Sequence, residues 1–483
     1  MPPHRLHLLP SDVLFYVFHY CDLDTHAILP LVCSSLNTLA QERGYWINAL
    51  RNAQLQKPIA CPLHEDLTKA SLADLRNIAL HTLRLERNWS SPFPEVKGIV
   101  NEVALGNGRP DVIFQVPGRD LYLMHSRKTG GIAAWNIKLG VQVTPEYYMA
   151  RYVRDVSPGQ DEPGCFSMGL LTAEDKFGGT ANKLFVIRLE YNEHDEVDLC
   201  IKYITQFEPN RAQWAAFMTK EIVGVLDNSY AIDDLAVHIL AYNMRTRKAV
   251  NIVTDLLRKD VVENSGQSAT SLTSGDLLIL IEAKGKSSVY TCARNFLPHD
   301  DNLNCPVSAT VKLKDTCLIT NWSSVADTHR VLPEGCLSSD DLHGVPAVSI
   351  IRYERENDSD SVISGLHVRF WSPPPLLECP WSTLVPAHIV DIPGRLHEST
   401  SASWSLLLIP CSGLRVLLIL DTNDQVSLKL ISYHPETNDS TVSELDVSLH
   451  VDIRGVYNIA MDDHRGILSL LHVSGHLYAI PYA

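Results

Sequence analysis

The sequence predicts an α+β multidomain protein: a small all-α unit at the N-terminus, a linking helix, then a large all-β domain. Three observations predict it. Up to about residue 90, apolar residues recur at helical spacing; after about residue 95, short β-type runs alternate with turn residues. Charge divides at the same place. Eight basic and eight acidic residues lie in 1–90, leaving 41 − 8 = 33 basic and 56 − 8 = 48 acidic residues, so the later part carries the whole net charge of −15. Repeated hairpins of similar size in 91–483 predict a β-propeller of six to eight blades, seven favoured, because radial repetition limits exposed strand edges. The expected organisation is 1–50, a helical linker at 51–90, and a binding domain at 91–483.

The first helix opens at Leu8-Leu-Pro-Ser-Asp12, where Ser11 or Asp12 can accept its free N–H groups. Leu14, Val17, Phe18 and Cys21 follow the i, i+3, i+4, i+7 spacing of one buried face. Val13, Phe15, Tyr16 and Tyr20 lie off that stripe and are also apolar, so the helix reads as covered on more than one side. Asp22 to Thr25 makes a turn and a second cap. A further helical pattern holds Ala27, Ile28, Leu31, Val32, Leu36 and Leu39, and Pro30 inside it is expected to break or kink the helix. Trp46 closes the unit as a core residue.

Residues 6–50 contain 26 apolar positions among 45. A unit below about 60 residues buries only around 60% of its surface. This one therefore has more apolar surface than its own core can absorb, and it needs a partner in the same chain or in another protein.

The run Leu9-Pro10-x-Asp12-Val13-Leu14-x-x-Val17-Phe18, then Leu31-Val32-Cys33-x-x-Leu36 and Trp46, resembles the F-box. Leu36 stands where many F-boxes have Trp, and Pro30 interrupts the second helix. The resemblance implies docking on a Skp-type adaptor and, through it, on the cullin of a ubiquitin ligase. The adaptor-facing residues it implies by position are Leu9, Pro10, Val13, Leu14, Val17, Phe18, Leu31, Val32 and Leu36. The competing reading is that this hairpin only caps the large domain.

Residues 65–87 continue with Leu67, Leu72, Leu75, Ile78, Ala79, Leu83 and Leu85, and Arg76, Arg84 and Arg87 keep a polar side, as a linking helix would. The Ser/Pro cluster at 90–94 marks the boundary. Seven hairpin-like units follow, at 120–137, 183–191 (a lone strand), 235–253, 275–292, 347–371, 414–431 and 457–480. Seven blades would take about 56 residues each, against roughly 40–45 in WD-type blades. The surplus is assigned to long loops at 154–166, 258–275 and 321–345.

Several function classes are excluded or weakened. The acidic charge opposes sequence-independent binding to nucleic acid or to an anionic membrane. The apolar stretch 403–420 is interrupted by Pro410, Gly413 and Arg415 and reads as strand, turn, strand. Eleven cysteines without a CxxC pair read as reduced thiols of a cytoplasmic or nuclear protein, not a secreted one. No phosphate-cradling loop, complete HExxH or GxSxG occurs, so no catalytic, cofactor or metal residue is assigned. One constellation is weighed: His299-Asp300-Asp301, Asp340-Asp341-Leu-His343 and Asp462-Asp463-His464 would build a metal or acid–base site if their loops converged, but Asp pairs are ordinarily turn formers.

The expected function is that of a non-catalytic subunit whose helices dock on the ligase core while the propeller holds a target of unknown identity. The alternatives are a propeller hydrolase that depends on a metal, with a helical cap, and an F-box scaffold outside any ligase.

Overall fold

The computed structural model describes residues 10–483 except 55–56, 62–65, 107–109, 158, 176–180, 193–195, 210, 230–234, 258–266, 274–275, 284–285, 303–304, 319–327, 332–346, 357–361, 372–387, 397–406, 409–412, 423–424, 436, 448 and 450. Five helices come first: α1 (Ser11–Phe18), α2 (Leu23–Val32), α3 (Ser34–Leu39), α4 (Arg43–Gln54) and α5 (Leu72–Trp89). Asp22 caps α2 by accepting from the Thr25 amide at 2.7 Å. Ser71 and Asp74 cap α5 reciprocally, each side chain accepting the other's backbone N–H. Leu14, Phe18, Leu23, Leu36, Tyr45, Trp46, Leu50, Leu75 and Ala79 fill one helical core.

Beyond α5 the described residues form seven sheets of four or five strands, taken almost strictly in sequence order and antiparallel except where Ser308–Val311 pairs in parallel with Ala249–Leu257. Each of the seven expected hairpin units falls in a different sheet. Blade 1 is built on Leu121–Ser126 and Gly131–Asn136, blade 2 on Cys165–Ala173 and Lys183–Tyr191, and blade 3 on Ile222–Ser229 and Ala236–Asn243. Blade 4 follows on Asp276–Ala283 and Lys286–Cys292, blade 5 on Ala347–Glu356 and Val362–Trp371, and blade 6 on Arg415–Thr422 and Gln425–His434. In blade 7 the last three strands, Val456–Asp462, Ile467–His472 and His476–Pro481, pair with the first strand of the domain, Asn101–Ala104. Successive sheets touch all the way round, including blade 6 on blade 7 and blade 7 on blade 1, so the ring is closed and tied by its two ends.

Apolar side chains fill the spaces between blades. Leu123 and Ile132 of blade 1 share a core with Phe166, Leu170 and Ile187 of blade 2, and comparable clusters join blades 2 with 3, 3 with 4, 5 with 6, 6 with 7 and 7 with 1. A sheet covered on both faces needs no polar alternation, which is why Leu121–Ser126 is buried at every position.

Two expectations fail in detail. The strand at 183–191 is not alone: it lies between Cys165–Ala173 and Val197–Gln206. All three of the supposed long loops contain strands, Gln160–Glu162 within 154–166, Gln267–Thr273 within 258–275 and Thr328–Val331 within 321–345. Ser- and Thr-rich composition reads as loop, yet pairing to Asp276–Ala283 draws 267–273 into blade 4. Most of 321–345 lies outside the described residues. The strand, turn, strand reading of 403–420 agrees with Leu407–Leu408 paired to Arg415–Thr422, and no described helix is long and apolar enough to cross a membrane.

Helix α5 belongs to both halves. Its first turns place Leu75, Ala79 and Leu83 in the helical core, and its end places Leu85 and Trp89 between blades 6 and 7. Asn88 donates to the carbonyls of Glu95 and Tyr482, both at 2.7 Å. Arg415 of blade 6, almost fully buried, pairs with Glu86 and lies 4.5 Å from the centre of the Trp89 ring. Gly466 in the blade 7 turn has φ +72°, and a Cβ there would stand 2.3 Å from Leu85 Cδ1.

Candidate protein-docking face

Helix α1 carries two apolar stripes. Leu14 and Phe18, four residues apart, point into the helical core. Val13, Tyr16, Val17 and Tyr20 repeat at i, i+3, i+4, i+7 on the outer side, with Tyr16 67% and Tyr20 72% exposed. The Tyr20 hydroxyl donates to Tyr16 at 3.2 Å and the two rings meet edge to face at 5.6 Å, which holds both outward.

Helix α2 also exposes its apolar end: Ile28 54%, Leu31 82% and Val32 66%. Pro30 neither breaks nor ends it; the helix runs on to Val32 and stops at Cys33, whose φ of −158° is extended. Pro30 has no N–H, so the carbonyl of His26 four residues back loses its helical donor. That oxygen instead accepts from the Tyr45 hydroxyl at 2.7 Å. His26 Nε2 lies 2.9 Å from the carbonyl of Phe18 at the end of α1. The rings of Phe18, His26 and Tyr45 close a triangle with centroid separations of 5.9, 4.9 and 5.8 Å. Burial holds His26 below the ordinary imidazole range, so it is neutral and donates from Nε2.

The nine residues implied by the resemblance therefore divide. Pro10, Val13, Val17, Leu31 and Val32 are exposed. Leu14, Phe18 and Leu36 are buried in the chain's own helical core, at 5%, 2% and 5% exposure. Leu9 lies outside the described residues. The one-face reading of Leu14, Val17, Phe18 and Cys21 is corrected at Val17, since only Leu14 and Phe18 of that stripe are fully inside. Tyr16, Tyr20 and Ile28, exposed beside the carried-over positions, were not among them. For Tyr16 and Tyr20 the signal was the apolar residues off the first stripe of α1; for Ile28 it was the apolar pattern shared with Leu31 and Val32 in α2. Trp46 is core, as expected: its Nε1 donates to the Ala40 carbonyl at 2.9 Å.

Among the described residues the Asp/His constellation does not assemble. Asp462 accepts from the amides of Gly118, His464 and Arg465 at 3.0 to 3.1 Å, and His464 Nδ1 lies 3.0 Å from the carbonyl of Ile59. These contacts close blade 7 and seat the helices on it. Burial raises the Asp462 carboxyl above its ordinary value. Asp300 is engaged elsewhere, by Asn243 at 2.9 Å and Arg245 at 2.7 Å, and Asp301 by Arg294 at 2.7 Å. Asp340, Asp341 and His343 lie outside the described residues. Among the described residues no group of three or more His, Cys, Asp or Glu side chains is placed to hold a metal ion.

A family model described as "F-box domain" matches residues 6–48. No curated protein matches the chain. Among solved structures, the chain is similar to the Dos1 propeller at 8% identity, over 75% of this chain and 75% of that one, with a TM-score of 0.36. It is also similar to the Neurospora crassa Pan2 WD40 domain at 8% identity, over 79% and 94%, with a TM-score of 0.36. An oligogalacturonate lyase in complex with manganese is similar at 10% identity, over 79% and 91%, with a TM-score of 0.39.

Proposed function

From an N-terminal F-box domain joined to a large β-propeller, we propose that this protein is the substrate-recognition subunit of an SCF-type ubiquitin ligase. The helices dock on a Skp-type adaptor and, through it, on a cullin; the propeller captures a target protein. The observation that carries this reading is the exposed apolar set Val13, Tyr16, Val17, Tyr20, Ile28, Leu31 and Val32, which the described residues leave uncovered. Apolar side chains grouped on one small module mark an interaction site.

The mechanism is proximity. A lysine of the captured target is presented to a ubiquitin-conjugating enzyme at high effective concentration, and no residue of this chain performs covalent chemistry. Helix α5 supports such a role because its two ends lie in the cores of both modules, which fixes the distance between docking face and propeller. Seven described cysteines, from Cys21 to Cys305, are free thiols, in keeping with a reducing cytoplasmic or nuclear setting.

Co-expression of the full chain with a Skp-type adaptor and a cullin tests the proposal. A stoichiometric complex that transfers ubiquitin to co-captured protein supports it. Adaptor bound without cullin would favour a scaffold outside the ligase, and no adaptor bound would overturn both.

A further inference from the structure

Of the side chains on the docking face, only Tyr16 and Tyr20 carry polar atoms. Their hydroxyls lie 3.2 Å apart, Tyr20 donating and Tyr16 accepting. On its other side the Tyr20 ring meets His19 edge to face at 5.4 Å, so the pair is held in place from both ends. A phenol has one proton to donate. Tyr20 gives its own to Tyr16, which leaves the Tyr16 proton directed away from the pair, and among the described residues no group of the chain accepts it. At 67% exposure water takes that proton. An apolar surface laid over α1 removes the water, and a buried tyrosine hydroxyl then needs a new acceptor. The bond accepted from Tyr20 polarises the Tyr16 hydroxyl and makes it the better donor of the two.

We infer that the partner docked on α1 presents an uncharged carbonyl oxygen to the Tyr16 hydroxyl. The inference rests on the adaptor-docking role proposed above and adds one polar contact to an otherwise apolar interface. Charge favours a carbonyl over a carboxylate. Residues 10–38 contain no lysine or arginine. The cations that approach from other elements face aspartates: Arg87 pairs with Asp24 at 3.1 Å, and Lys57 acts on Asp22. Asp12 stands exposed at the opposite end of α1. A partner carboxylate would enter a face with negative charge at both ends and no cation of its own. Apolar burial is non-directional, so the Tyr16 bond is the contact that fixes the position of the partner along the helix.

The test measures the affinity of a purified Skp-type adaptor for the full-length wild type, Tyr16→Phe and Tyr20→Phe, at about 0.05 M and about 0.5 M salt, where exposed charges are weakly and strongly screened. Both substitutions keep the ring, and thermal midpoints show that each variant is folded. Tyr16→Phe is expected to weaken binding about tenfold, because the partner's carbonyl is left buried and unpaired. Tyr20→Phe keeps that contact and removes only its polarisation, so its loss is expected to stay below about threefold. The Tyr16→Phe ratio should be equal at both salt concentrations. Wild-type affinity in Tyr16→Phe, or a loss in Tyr20→Phe as large as that in Tyr16→Phe, would overturn the inference while leaving adaptor docking intact. A Tyr16→Phe loss that shrinks in salt would overturn the uncharged acceptor and identify a carboxylate. Absence of adaptor binding by the wild type would bring down the docking role and this inference together.

Discussion

The hydroxyl of Tyr45 donates to the carbonyl of His26, the oxygen that Pro30 leaves without a helical donor. One side chain from α4 thus repairs the backbone of α2 and fixes where its exposed end, Leu31 and Val32, stands. Tyr45→Phe keeps the ring packing and removes only the hydroxyl. It is expected to destabilise the helical module by about 1–3 kcal/mol, the cost of a buried acceptor left unpaired. Urea unfolding followed by helical circular dichroism reads the loss; an unchanged midpoint would show that the carbonyl finds another donor.

Acid should loosen the same region. The folded-state pKa of His26 is lowered by burial, so the native state binds fewer protons than the unfolded chain near the unperturbed value of 6.5. Stability from this group is complete above about pH 6.5 and is lost as pH falls through that range. His125, buried in blade 1 with Nε2 2.8 Å from the Ala150 carbonyl, shifts in the same direction. The urea midpoint is expected to fall between pH 7.5 and 5.5, with a flatter profile in His26→Gln. Equal midpoints at the two pH values would contradict the assignment.

How much of this was legible in the sequence differs by module. The seven hairpins were visible because sheets sandwiched on both faces read as dense apolar runs, such as Leu414 to Leu420. Gln267–Thr273 was missed because a Ser/Thr-rich strand has no such signature and is held by its neighbour. In α1 the spacing points Leu14 and Phe18 inward, and they face the core offered by α2, α4 and α5; it also puts Val17 inside, because local spacing does not encode how wide a stripe that core covers. Pro30 was over-read, since the compensating donor Tyr45 lies fifteen residues away. The apolar excess of residues 6–50, by contrast, was correctly foreseen as surface the module does not cover.

The junction should fail when Arg415 is removed. Arg415→Ala leaves Glu86 at a largely buried site without its partner and takes the guanidinium from Trp89. Removing one member of a buried pair costs about 3–5 kcal/mol. Hydrogen exchange of the amides at 85–89 is expected to accelerate while α1 to α4 keep their protection. Unchanged exchange at 85–89 would mean that Leu85 and Trp89 alone hold the helix in place.

Thiol chemistry offers an independent check of the blade cores. Burial pushes the Cys292 thiol up to about 12, whereas Cys200 is exposed on the outer strand of blade 2. At pH 7.5 an aromatic disulfide reagent is expected to modify Cys200 rapidly and Cys292 only on unfolding. Mass spectrometry of the modified peptides reads both sites, and early labelling of Cys292 would contradict its burial between blades 3 and 4.

The central claim, that an uncovered apolar face on the first two helices receives an adaptor, is tested most directly by the affinity of a Skp-type adaptor for the full-length Val17→Asp plus Leu31→Asp variant. Both positions are exposed, so the variant should keep the wild-type thermal midpoint, whereas Leu14→Asp would place a charge in the core and unfold the module. Loss of adaptor binding by at least about a hundredfold, or about 2.7 kcal/mol, with the fold intact is the expected result. Wild-type affinity in the folded double variant would contradict the account.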